Sequence, residues 1–137
     1  MVKPIVTDLI LLKQKSQPAD KNDTQLFTDI TDTLRANSHR CVGLAANMIG
    51  VRKTVLAAKI GSTEILMINP VIISKSKETY VAEEGCLSLE GTREAVRCKS
   101  VTVEYYDKKF RKKRQTFKGF DAQIIQHEMD HFDGIII

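Results

Sequence analysis

An α+β fold, with antiparallel strands wrapped around a helix near the end of the chain, follows from three features of the sequence. Leu26, Phe27, Ile30 and Leu34 recur at the spacing of one helix face. Short β-branched or alternating runs separated by turn residues fill the middle of the chain. A second helical stretch, about Asp121 to Asp133, follows them and stops at Gly134. The 137 residues suit one domain spanning 1–137, and 42% hydrophobic with 28% charged residues is ordinary globular composition.

The elements can be justified in order. An extended opening and a polar stretch, Lys15 to Asn22, precede the first helix, which Asn22 or Asp23 caps and which runs to about Arg40. Thr54–Ile60 and Glu64–Ile68 flank Gly61-Ser62, a hairpin signal, and Val71–Ser74 starts a new strand after Asn69-Pro70. Val101–Tyr106 alternates and is expected to pair with Gln115–Phe117. The final Ile135-Ile136-Ile137 is expected to form a buried edge strand. No run of about 18 apolar residues exists to span a membrane, and neither Met1–Ile5 nor Leu9–Leu12 has the make-up of a signal peptide. The cytoplasm is therefore the expected location. Three cysteines are too few and too uneven for a disulfide framework, which suits a reducing compartment. Cys98 is expected on a strand and Cys41 as a packing residue.

The chemistry concentrates in the last helix. Gln126-His127-Glu128-Met129-Asp130-His131 is an HExxH signature and holds two of the three histidines in the chain. Residues four apart on a helix share a face, so both imidazoles reach one metal ion, while Glu128 sits on the flank as a proton acceptor. Chance occurrence is the competing reading. Ile124, Ile125 and Phe132 surround the motif, however, and a buried His-Glu-His group is costly unless something pairs with it.

Hydrolytic metal sites usually take three protein ligands, so a third is needed. Ile137 stands where HExxHxxGxxH would place a histidine, and no glutamate follows Glu128. The ligand must come from upstream, from Cys41, Cys86, Cys98, His39 or a carboxylate. Cys86 is favoured, because Glu84-Gly85-Cys86-Leu87-Ser88 is a polar, glycine-containing interruption between strands.

With these two segments the chain resembles the peptide deformylase family, whose motifs are a glycine-alanine segment, EGCLS and QHExDH. The second and third are complete at Glu84–Ser88 and Gln126–His131. The first, G-x-G-x-A-A-x-Q in the family, reads Cys41-Val42-Gly43-Leu44-Ala45-Ala46-Asn47-Met48, with Cys41 for a glycine and Met48 for the glutamine. Family members commonly continue beyond the third motif, where this chain has only three isoleucines after Gly134.

The resemblance implies a deformylase-like fold and a metal-dependent hydrolase that removes the formyl group from N-formylmethionyl nascent peptides. It implies Cys86, His127 and His131 as metal ligands, Fe²⁺ or Zn²⁺ as the ion, Glu128 as general base and acid, and the Leu87 N–H as oxyanion donor. Gly43 permits close approach to the small formyl group. Ile124 is expected to line the methionine pocket, Glu84 belongs with the candidate substrate residues, and Arg93 either anchors the loop or the substrate backbone or makes a surface ion pair. Met48 cannot donate a hydrogen bond, and losing an oxyanion donor costs roughly a hundred- to a thousand-fold in turnover. A slow enzyme, a substitute donor such as Asn47 or water, or a non-catalytic relative that binds formylated peptides or the ribosome would each fit. The intact ligands and Glu128 favour the first two.

The net charge of +4 has a local origin in seven basic residues between Lys108 and Lys118. A solvated hairpin tip is the expected form, without nucleic-acid specificity, although a transient ribosome contact fits an enzyme of nascent chains.

Overall fold

A computed structural model describes residues 1–137. A short helix α1, Leu9–Leu12, precedes helix α2, Thr24–Ala36. Seven strands follow: β1 Gly43–Ala45, β2 Val55–Ile60, β3 Thr63–Lys75, β4 Thr79–Cys86, β5 Leu89–Cys98, β6 Ser100–Tyr106 and β7 Lys112–Lys118. Helix α3, Gly119–Phe132, comes last. Five strands form an antiparallel sheet in the order β1-β2-β3-β6-β7, and β4 and β5 form a separate two-stranded ribbon. The α+β expectation holds.

Helix α2 buries Leu26, Phe27, Ile30 and Leu34, the residues its periodicity selects. It ends at Ala36, short of Arg40. The Asn37 side chain donates to the Thr33 carbonyl at 2.8 Å, where it competes with the helical ladder. Asp23 occupies the cap position but its carboxylate accepts from the Asp20 N–H instead of from the helix.

Glu64–Ile68 and Val71–Ser74 are one strand, β3, bent at Asn69. Asn69 has φ 51°, and the register with β6 shifts between Ile68 and Val71. Pro70 lies in that shift, where its missing N–H interrupts no ladder. The Asn69 side chain holds the bend to Ala19 and Thr54. The strands expected on either side of Glu84–Ser88 are β4 and β5, but their pairing into a separate ribbon was not foreseen. Its cross-strand pair Val81 and Val96 is exposed on one face while Glu84 and Arg97 are buried, so the usual inward apolar alternation is missing.

Two expectations fail at the end of the chain. The basic run is not confined to a tip; most of it is β7, the solvent-facing edge of the sheet. Ile135–Ile137 forms no strand. Gly134, at φ 76°, turns the chain back so that the Ile135 N–H donates to the Asp130 carbonyl, and Ile135 is exposed. A Cβ on Gly134 would stand 2.2 Å from the Lys13 carbonyl oxygen, so this position demands glycine twice over.

The core lies between the sheet and the two long helices. Leu44, Leu56, Met67, Val103 and Ile125 are fully enclosed there. This core fixes α3 against β1, and the two elements carry the site between them.

Candidate metal centre

Helix α3 presents His127, Glu128 and His131 inward, all three buried. One donor atom from each lies within 4.8 Å of the others. Each imidazole is oriented by a different partner. His127 Nδ1 lies 2.7 Å from Glu84 Oε1, and His131 Nδ1 lies 3.0 Å from the Ile135 carbonyl oxygen. Both acceptors lack protons to give, so each Nδ1 carries the hydrogen and each Nε2 is left free. His131 Nε2 is buried with no hydrogen-bond partner, as is Glu128 Oε1.

Glu84 is itself gripped. Arg97 donates to its carboxylate from Nε at 2.9 Å and from Nη2 at 2.5 Å, and reaches Asp130 from Nη1 at 2.6 Å. Burial opposes the charge on Glu84, yet the bonds from His127 and Arg97 outweigh it and hold the carboxyl at about 2. For His127, burial works downward but Glu84 wins, and the net shift is upward. No carboxylate hydrogen-bonds to His131; Glu128 Oε1 is 3.8 Å from its Nε2. Burial and the neighbouring His127 push it down to about 4, so it is neutral near pH 7. Burial raises the Glu128 carboxyl to about 7, against the pull of His127.

A cavity of about 830 Å³ opens beside this group, bordered by Gly43, Met48, Cys86, Leu87, Ile124, His127 and Glu128. Cys86 ends β4, outside the close trio but on the same cavity wall. Burial raises its thiol and prevails, with the backbone N–H groups of Ser88 and Leu89 working in the opposite direction. Gly85 serves the hairpin itself: a Cβ there would meet the Gly91 carbonyl oxygen at 3.0 Å. No turn or loop hydrogen bond uses the Leu87 N–H.

Gly43 has a more exact role than room for a small substrate. A Cβ there would lie 2.8 Å from Glu128 Oε2 and 3.0 Å from Ile124 Cγ2, so the absent side chain is the space Glu128 occupies. Three other candidates sit as follows. Glu84 borders the cavity, and its carboxylate is bonded to His127 and Arg97. Arg93 does not border it, makes no ion pair, and donates to the Glu90 carbonyl at 2.7 Å, a bond within the segment that follows Cys86. Asn47 is fully buried outside the cavity lining, and its amide donates to the His131 carbonyl at 2.9 Å. Met48 is buried in the cavity wall, Cys41 lines the cavity as a half-buried thiol raised to about 11 chiefly by burial, and Cys98 lies at the end of β5.

Sequence reasoning missed Arg97, Asp130 and the Ile135 carbonyl, and it named Asn47 only as a substitute donor, not as the group that holds the His131 carbonyl. Asp130 lies inside the motif and was open to notice. Nothing local marks Arg97.

The comparisons agree with this geometry. The polypeptide deformylase family model matches residues 2–137. A peptide deformylase of Clostridium beijerinckii is 57% identical over 137 residues, the full length of both chains. One from Thermotoga petrophila is 34% identical over 93% of this chain and 79% of its own. Among solved structures, a class I type b peptide deformylase from Acinetobacter baumannii superposes with a TM-score of 0.90 at 30% identity, covering 99% of this chain and 96% of that one. The same enzyme bound to Met-Ala-Ser gives 0.89 at 28% identity, again over 99% and 96%. Carrying the HExxH helix, the EGCLS turn and the fold that unites them, this chain belongs to the polypeptide deformylase family, metal-dependent enzymes that remove the N-formyl group from nascent peptides.

Proposed function

We propose that residues 1–137 work as one deformylase domain in the cytoplasm, with His127 Nε2, His131 Nε2 and Cys86 Sγ holding one divalent ion. The observation that carries the ligand set is the buried, unpartnered Nε2 of His131, opposite an Nδ1 already committed to the main chain. Fe²⁺ is the proposed ion; Zn²⁺ suits the same nitrogen and sulfur donors. Such an ion supplies Lewis acidity that brings a water's pKa toward neutrality.

Everything else falls to the chain. Glu128, a buried carboxylate whose Oε1 has no hydrogen-bond partner, is the group that takes a proton and returns it to the leaving amine. Gly43 leaves that carboxylate its place beside the reacting group. The unused Leu87 N–H is placed to stabilise charge developing on the formyl oxygen. Ile124 and Met48 offer an apolar wall for the methionine side chain of the substrate. The Met-Ala-Ser peptide held by the Acinetobacter enzyme is what deformylation of such a substrate would leave.

Formate release from formyl-Met-Ala-Ser by protein loaded anaerobically with Fe²⁺ tests the reading. Glu128→Ala should keep the metal and lose turnover by at least about a hundred-fold. Cys86→Ala should lose the metal. Full occupancy in that variant would remove Cys86 from the ligand set.

A further inference from the structure

Positive charge is distributed unevenly over this fold. Seven of the 21 basic residues lie between Lys108 and Lys118, with no acid among them, while the other 126 residues carry 14 basic and 17 acidic side chains, a net −3. The structure sets these seven on the turn before β7 and along β7 itself, where Lys113 points to the face opposite Lys112, Arg114 and Lys118. β7 is an edge strand whose outer side pairs with nothing, and along it Lys112, Arg114 and Lys118 share one face, the first two about 6.6 Å apart. Two cations are paired, Arg111 with Asp107 at 3.1 Å and Lys112 with Glu104 at 4.0 Å. Lys108, Lys109, Lys113, Arg114 and Lys118 make no ion pair.

The turn that displays them is built firmly. The Asp107 carboxylate accepts from the N–H groups of Lys109 and Arg111, and Phe110, at φ 60°, stacks on Tyr106 with ring centroids 4.7 Å apart. Beside the turn lies a second cavity, about 690 Å³, edged by Lys108, Lys109 and Lys113 and bordered by Phe27, Leu34 and Tyr105. At its other end β7 runs directly into α3, whose Phe120 and Gln123 border the catalytic cavity. Lysines on an edge also discourage strand pairing, but one or two suffice for that.

We propose that the β6–β7 edge is a docking surface for the phosphodiester backbone of RNA, read by charge and without base specificity. RNA is the polyanion that accompanies a nascent peptide, the substrate of the family to which this chain belongs. A backbone-tracking contact needs cations spaced along a line and no fixed hydrogen-bond pattern, which is what a turn and edge strand with five free cations between them provide. The contact lies outside the catalytic cavity and does not depend on turnover.

The test uses the metal-loaded full chain and a fluorescein-labelled, unstructured RNA of roughly 20 nucleotides, read by anisotropy between about 50 and 200 mM salt. Micromolar binding is expected, with log K falling against log salt at a slope of about −3, as for four neutralised phosphates. Lys109→Glu with Arg114→Glu should weaken binding at least about tenfold and flatten the slope. Lys15→Glu with Lys21→Glu makes the same change in net charge on exposed residues elsewhere and should leave binding within about twofold. Formate release from the short peptide should be the same in both variants as in the parent, which certifies folding and keeps the outcome separate from the catalytic reading. Equal weakening by both pairs would overturn the proposal, since net charge alone would then explain binding. So would no RNA binding at low salt, or capture by anionic phosphatidylserine vesicles without RNA binding.

Discussion

The two histidines of α3 sit one turn apart and are held by opposite kinds of chemistry. His127 is fixed by a buried carboxylate, which in turn is fixed by a buried guanidinium that also grips the helix at Asp130. His131 is fixed by a neutral main-chain carbonyl, and its own carbonyl is held by the neutral amide of Asn47. The charged arrangement ties α3 to the β4–β5 ribbon and leaves His127 the more basic ring. The neutral one ties α3 to the tail and to the turn after β1, and leaves His131 uncharged. One site therefore depends on the ribbon through electrostatics and on the body of the fold through geometry.

The sharpest way to break this contrast is to remove the cation on the charged side. Arg97→Met should leave Glu84 buried beside no countercharge and lower stability by about 3–5 kcal/mol, measured by denaturant unfolding of metal-loaded protein. A loss below about 1 kcal/mol would mean that the network is more solvated than its burial indicates. Glu84→Gln keeps an acceptor for His127 but removes the charge, and metal affinity should fall roughly ten- to a hundred-fold in competition with a chelator. An unchanged affinity would show that the anion is dispensable.

Met48→Gln probes the cavity wall that both arrangements serve. It restores an amide donor where the family has one, and turnover should rise about tenfold, on the order of 1.4 kcal/mol, with KM little changed. No gain over a measurable parent rate would mean that another group already stabilises the oxyanion. The smallest effect belongs to the neutral side. Asn47→Ala removes one hydrogen bond, so stability should drop by about 1 kcal/mol and metal affinity by less than about threefold. If Asn47→Ala released metal as readily as Glu84→Gln, the contrast between the two histidines would collapse.

How much of this was legible depended on whether the signal was local. Helix α2, the Gly61-Ser62 hairpin and the HExxH helix announced themselves through periodicity, turn chemistry and spacing, and each forms at its pattern, with α2 four residues shorter than expected. The β4–β5 ribbon did not, because one of its faces is wet and the other buries ionic groups that read as surface residues. Glu84 was singled out as a motif residue, but its bond to Arg97 was not, since that partner is thirteen positions away and meaningful only after the ribbon pairs. The partner of His131 was invisible for a stricter reason: a carbonyl carries no side-chain identity. Even the tail, apolar enough to suggest a strand, follows Gly134 instead, whose left-handed φ turns the chain before any ladder can form.

The latch between the two ends of the chain bears on when the site can first exist. Gly134 packs on the Lys13 backbone and the Ser16 N–H donates to the Phe132 carbonyl at 2.8 Å, so the loop that orients His131 rests on residues from the first turns of the molecule. During synthesis those early residues wait until Phe132 to Ile135 have been added, more than a hundred positions later. The second imidazole is thus oriented only once that segment meets residues 13–16, and a chain cut before Ile135, however well its sheet has formed, would lack it.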